Sequence, residues 1–210
     1  MRRSWTGQWG ARLAVSATVL FGASLASQAS AQARIPCRPA LGTRTIAHSA
    51  RARIFEDDRN GNDYACLYRD GHARYLSSTE HYEYRLVRFA GAYVAFVQNI
   101  EAVDDHVGVM NLRTGHVRNF QEARPIDNGV CARVESLVLK TDGAVAWIAT
   151  NFFPPGCENP PAPTVEVRRH DGRGLQVVDH GIGIAPKSLH RASSLLHWLD
   201  GGQVRSSTLL

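Results

Sequence analysis

From residue 40 onward the chain is a succession of short apolar or alternating runs separated by Asp-Gly, Asn-Gly and Thr-Gly pairs. No window of useful length carries apolar residues at helical spacing. The pattern predicts an all-β protein. Overlaying the runs exposes a repeat: Arg53-Ile54-Phe55, Val94-Ala95-Phe96, Val145-Ala146-Trp147 and Leu196-His197-Trp198, whose aromatic positions lie 41, 51 and 51 residues apart. A strand start precedes the last three at matching distance, in Tyr84-Arg85-Leu86, Ser136-Leu137 and Ser188-Leu189. A strand, a glycine turn and a second strand follow the first three: Tyr64 to Leu76 around Asp70-Gly71, Val107 to Phe120 around Thr114-Gly115, and Val165 to Val178 around Asp171-Gly172.

Each repeat is thus expected to hold four antiparallel strands, the make-up of a β-propeller blade. Tyr93, Ala95 and Val97 point to one face and Val94 and Phe96 to the other, so both faces are apolar, as in a strand covered on both sides. The fold class expected is all-β and propeller-like, with about four four-stranded antiparallel blades; the alternative is a β-sandwich, which would leave one face polar. The last unit runs out at Leu209 after three strands, and we expect Arg34 to Ala40 to supply its outer strand, with Cys37 tying that strand to the first blade. Pro36 and Pro39 suit only an outermost strand, where a missing amide donor is harmless.

In the Ser-Leu pairs followed by an apolar-Trp strand, and in the closing Gly-Gly-Gln-Val-Arg-Ser-Ser, residues 42–209 resemble secreted β-propeller-repeat proteins of the WD40-like or TolB-like kind. The Gly-His and Trp-Asp pairs of true WD repeats are missing. The resemblance implies an architecture and assigns no residue a role, because such propellers serve binders, scaffolds and enzymes alike.

The N-terminus changes the picture of compartment and charge. Arg2, Arg3 and Arg12 precede an apolar run from Leu13 to Ala26, and Ala31-Gln32-Ala33 follows, which is the order of a cleavable secretory signal. An apolar run of about 14 residues is too short to span a bilayer. We expect residues 1–33 to be removed near Ala33, by the general secretory or the twin-arginine route, leaving residues 34–210 as a single domain that is secreted or extracytoplasmic. Of 24 lysines and arginines, three leave with the signal, so 21 basic residues face 19 acidic ones and the net charge falls from +5 to +2. That modest charge and that compartment argue against nucleic acid as a partner, and no later run is long enough for a membrane span.

All four cysteines, Cys37, Cys66, Cys131 and Cys157, lie beyond the signal, an even count in an oxidising compartment. Two disulfides are expected. Of the three connectivities we favour Cys37 with Cys66 and Cys131 with Cys157, because each pair brackets one stretch of β pattern. No two cysteines are close enough for a zinc knuckle, so no metal site is expected there.

Candidate chemistry is sparse. The expected topology gathers Glu56, Asp57, Asp58, Asp63, Glu101, Asp104, Asp105 and Glu158 at one end, and Arg69, His72, Arg113, His116, Arg168, Arg169, His170 and Arg173 at the other. The turn from Asp57 to Asp63 is oxygen-rich enough to raise calcium, but its glycine sits in the wrong register for a calcium loop; no cofactor is otherwise expected. Asp104-Asp105-His106, Asp179-His180 and His170-Asp171 are adjacent acid and imidazole groups without a nucleophile elbow or phosphate turn beside them. Trp147 and Trp198 belong to the most apolar strands and read as core. Phe152 and Phe153, beside Pro154, Pro155 and Gly156 in a loop tied by Cys157, are candidates for a partner anchor. The binding loops expected are therefore Asp57, Asp58, Asp104, Asp105, Phe152 and Phe153. The reading is a monomeric, non-catalytic binding module for an extracellular protein or carbohydrate. Its alternatives are a secreted hydrolase or lyase with channel-facing acids, and a structural envelope component.

Overall fold

A computed structural model describes residues 35–78, 82–100, 104–123, 131–152 and 164–210. The first sheet holds β1 (Thr43–His48), β2 (Ala52–Asp57), β3 (Asn62–Leu67) and β4 (Ala73–Ser78). The second holds β5 (Tyr82–Ala90), β6 (Tyr93–Ile100), β7 (Asp104–Asn111) and β8 (Val117–Glu122). The third holds β9 (Cys131–Leu139), β10 (Val145–Phe152), β11 (Val165–Asp171) and β12 (Gly174–Gly181), and the fourth β13 (His190–Ala192), β14 (Leu195–Asp200) and β15 (Gln203–Thr208). Within every sheet the strands are antiparallel and lie side by side in sequence order. The described residues contain no helix.

Every sequence repeat coincides with one sheet, and the repeated aromatic falls on its second strand. Phe55 and Trp147 are fully buried, Phe96 and Trp198 nearly so. Alternation on these strands feeds two cores at once. Val94 and Phe96 of β6 join Ala52, Ile54, Ala65 and Leu67 of the first sheet, while Ala95 and Val97 join Val134, Leu137, Val145 and Trp147 of the third. On β10, Ala146 and Ile148 point the other way and meet Leu196 and Trp198 of the fourth sheet. Each of the three junctions between successive sheets is thus a core of its own. Truncating a buried tryptophan at one of them costs about 3–5 kcal/mol. The indoles also bond across the junctions: Trp147 Nε1 donates to the Ala123 carbonyl at 2.9 Å and Trp198 Nε1 to Asp179 Oδ2 at 2.7 Å.

One glycine is a packing requirement. A Cβ on Gly108 would lie 2.3 Å from the Phe96 ring, which fills that space from the neighbouring strand. At the last hairpin Gly201 and Gly202 both have positive φ, 57° and 80°, the conformation of the two-residue turn that joins β14 to β15.

The N-terminal segment departs from expectation. Pro36 bridges His72, Cys37 N–H donates to the Gly71 carbonyl and Ala73 N–H to the Ile35 carbonyl, so residues 35–37 lie beside β4 at the outer edge of the first sheet and not beside β15. The reason is local. Cys66 sits with Phe55 on the outer face of that sheet, and the Cys37–Cys66 disulfide, with Cα atoms 5.7 Å apart, keeps the segment there. The residues flanking Pro36 make the edge bonds that proline cannot. Above Phe55 the buried Arg53 guanidinium lies 3.8 Å from the ring centroid and donates to the Arg38 carbonyl and Thr45 Oγ1. Cys131 is also disulfide-bonded; Cys157 lies outside the described residues. Among the described residues no core joins the fourth sheet to the first, and Leu195, Leu199 and Val204 of the fourth are exposed.

Candidate functional site

The acidic end is largely occupied by its own structure. Asp57 is buried, and the Arg59 side chain binds both its oxygens, at 2.8 and 2.6 Å, closing the β2–β3 turn. Those hydrogen bonds hold the Asp57 carboxyl below its usual range. Asp58 beside it is exposed. Asp104 Oδ1 accepts the Ala132 N–H at 2.9 Å, and the buried Asp105 accepts from Arg85, from Asn99 Nδ2 at 3.0 Å and from Val134 N–H at 2.7 Å, so this pair fastens the second sheet to the third. Burial keeps the neighbouring His106 below the ordinary imidazole value. Asp63 occupies the place in β3 that Asp105 occupies in β7, facing the junction between the first two sheets. There Ser77 Oγ donates to its Oδ2 at 3.2 Å, while its Oδ1 is buried without a hydrogen-bond partner. Burial raises Asp63 to about 6 against the lowering effect of Tyr84 and Ser77.

Asp171 and Asp179 are likewise committed. Burial pushes Asp171 up, but hydrogen bonds from the Arg173 side chain and from the Leu210 and Arg173 backbones prevail and hold it well below the carboxylate range. Asp179 receives Trp198. Phe153 and Cys157 lie outside the described residues, and of Phe152 only the backbone, at the end of β10, is described. Among the described residues no three His, Cys, Asp or Glu side chains gather as a metal set.

The opposite end carries a cleft of about 580 Å³. Five connections build it: Ala50 and Arg51 from β1–β2, Leu67 to Arg69 from β3–β4, Gly91 to Tyr93 from β5–β6, Asn111 and Arg113 from β7–β8, and Thr141 from β9–β10. Three guanidiniums line it, and among the described residues no carboxylate does. Arg69 pairs with Asp70 at 3.1 Å, whereas Arg51 and Arg113 are exposed and make no ion pair among the described residues. The walls are fixed from behind. Tyr93 packs against the core of the second and third sheets, and a Cβ on Gly143 would come within 2.8 Å of its ring. Tyr68 packs against the Phe55–Cys66 group. Asn111 Oδ1 accepts the Arg113 N–H at 2.9 Å and the Thr114 N–H at 3.4 Å, which shapes the hairpin that presents Arg113, and its amide Nδ2 has no hydrogen-bond partner among the described residues.

Neighbouring recesses differ. The one beside Arg118 and His170 measures about 190 Å³ and contains Asp142 and Asp171, so its charge is mixed. Arg169 and Arg173 donate to the Thr208 carbonyl, and Arg168 is buried against Glu166, so these cations are consumed by structure. Of the basic side chains grouped from sequence, Arg69 and Arg113 reach the cleft. Arg51, Tyr68, Tyr93, Asn111 and Thr141 were not singled out, because each belongs to a different connection and only sheet-on-sheet packing brings them together. The chain matches no protein-family model and none of the curated proteins with which it was compared.

Proposed function

We propose that this chain is a secreted, disulfide-stabilised, propeller-like module that binds an extracytoplasmic anionic ligand through its arginine-rimmed hairpin end without transforming it. The carrying observation is the cleft with three guanidiniums and no carboxylate on its walls. Its volume suits a small-molecule or oligomer site. Planar guanidinium forks match carboxylate, sulfate or phosphate oxygens. Among the described residues the cleft is lined by no imidazole, thiol or carboxylate, the groups that most often move protons or attack as nucleophiles, which favours recognition over turnover there. The propeller-like reading is supported by four successive sheets that share cores in order, with no core joining the fourth to the first among the described residues. The N-terminal charged-apolar-small order and the Cys37–Cys66 bond favour export.

The test is to titrate the folded chain with inorganic sulfate and with citrate while following backbone amide resonances. Shifts should be concentrated at residues 50–51, 67–69, 91–93, 111–113 and 141, and Arg51→Glu with Arg113→Glu should abolish them. Saturable shifts clustered at the acidic end, or none at millimolar anion, would overturn the reading.

A further inference from the structure

Resting on that reading, the geometry points to an acidic sugar as the ligand: a pyranose ring bearing a carboxylate or a sulfate. The anionic group is specified by Arg51 and Arg113, neither of which has an acidic partner among the described residues, with Arg69 as a third donor shared with Asp70. A ring is specified by the two tyrosines. Tyr68 and Tyr93 line the cleft half-buried, Tyr93 against the core of the second and third sheets and Tyr68 against the Phe55–Cys66 group, and neither hydroxyl has a hydrogen-bond partner among the described residues. Such fixed aromatic walls offer flat apolar area at low entropic cost, together with a polar tip. Sugar hydroxyls would find the Asn111 amide, the Thr141 hydroxyl and the tyrosine hydroxyls around them.

Other anions fit less well. An acyl chain tethered to a phosphate would leave Asn111, Thr141 and two phenols facing hydrocarbon, and unpaired polar groups in a site cost affinity steeply. An acidic peptide would satisfy the arginines but leave Tyr68 and Tyr93 without a ring to cover. The recess at Arg118 and His170 and the one at Glu135 and Lys187 both include acids in their lining, whereas this cleft carries cations and no acid among the described residues. The basic lining therefore ends with Arg113 of the second sheet, with Thr141 of the third closing the cleft, and the site takes a short stretch of a chain instead of tracking a long polyanion.

Calorimetric titration of the oxidised protein with tetragalacturonide, a heparin tetrasaccharide, neutral cellotetraose and pentaglutamate tests this. Tetragalacturonide binding alone identifies the carboxylate sugar, and heparin binding alone the sulfated one. Cellotetraose should bind at least tenfold more weakly than the better acidic sugar. Arg51→Gln and Arg113→Gln, at exposed hairpin positions, should each weaken that binding roughly tenfold. Tyr93→Phe keeps the packing and should retain most affinity, whereas Tyr93→Ala should lose it; if the alanine variant fails to fold, the two arginine variants decide. Sulfate binding at the cleft without binding of either acidic sugar, or pentaglutamate binding as tightly as both, would overturn the sugar assignment while leaving the anion-binding reading intact. Failure of every anion, sulfate and citrate included, would remove both.

Discussion

Asp63 and Asp105 show how far one buried neighbour changes a residue's behaviour. Both are the second residue of a third strand, and both face a junction between sheets. Asp105 meets a guanidinium, an amide and a backbone N–H; Asp63 meets one donating hydroxyl, with Tyr84 and Gln98 bonded into the same group. Glu56 adds like charge and Arg44 offsets part of it. A folded value of about 6, against about 3.9 for a free aspartate, means that ionising Asp63 costs stability. That cost is complete above pH 6 and absent below about pH 4, so this residue alone makes the fold more stable as pH falls from 7 to 4, by up to about 3 kcal/mol. Asp57 and Asp171 act in the opposite sense, since their carboxyls are held low and their contribution is lost as pH falls below about 4. Stability should peak between them. Asp63→Asn should stabilise the protein at pH 7.5 by about 2–3 kcal/mol and have little effect at pH 4. Urea unfolding at the two pH values measures the difference, and an equal effect at both would show that Asp63 is not ionised against a penalty.

At the scale of elements, the repeated aromatic strands were legible because alternation is local: Val94 and Phe96 against Ala95 and Val97 can be read along eight residues of β6. The hairpins were legible for the same reason, through Gly71 and Gly115, which take positive φ. The N-terminal strand was not. Nothing in Ile35-Pro36-Cys37 distinguishes the edge of β4 from the edge of β15; the choice is made by Cys66, thirty residues away in space already occupied by Phe55. The candidate acids illustrate the same limit, since a sequence displays Asp57 and Asp105 as charges but not the Arg59 and Arg85 that consume them. Because the disulfide closes a loop with a sequence separation of 29, Cys66→Ser should lower stability by about 3–4 kcal/mol. It should also release residues 35–37 and open the outer face at Phe55. Limited proteolysis at Arg38 checks this: cleavage should be slow in the oxidised protein and fast after reduction, and equal rates would mean that the edge pairing holds without the bond.

For the whole molecule, order along the chain becomes order in space: each sheet packs on its neighbour in sequence, and the cleft exists because five connections from three sheets end on the same side. The ends of such an array are not equivalent. The first sheet has its outer face covered by residues 35–37 and by Arg53 over Phe55, whereas the fourth has three strands, an exposed β15 and an outer face on which Leu195, Leu199, His190 and His197 stand beside water. Covered sheets open only with the global structure, while an end sheet can open alone. Backbone amide exchange should therefore be fastest in β14 and β15, intermediate in β2 and β3, and slowest in β6, β7 and β10, with the fourth sheet reporting a smaller opening free energy than the rest. In a ring closed between the fourth and first sheets both would be covered alike, and equal protection of β14 and β6 would establish that closed arrangement in solution. Adding a ligand that seats in the cleft should slow exchange in the first two sheets, whose connections line it, and leave the fourth unchanged.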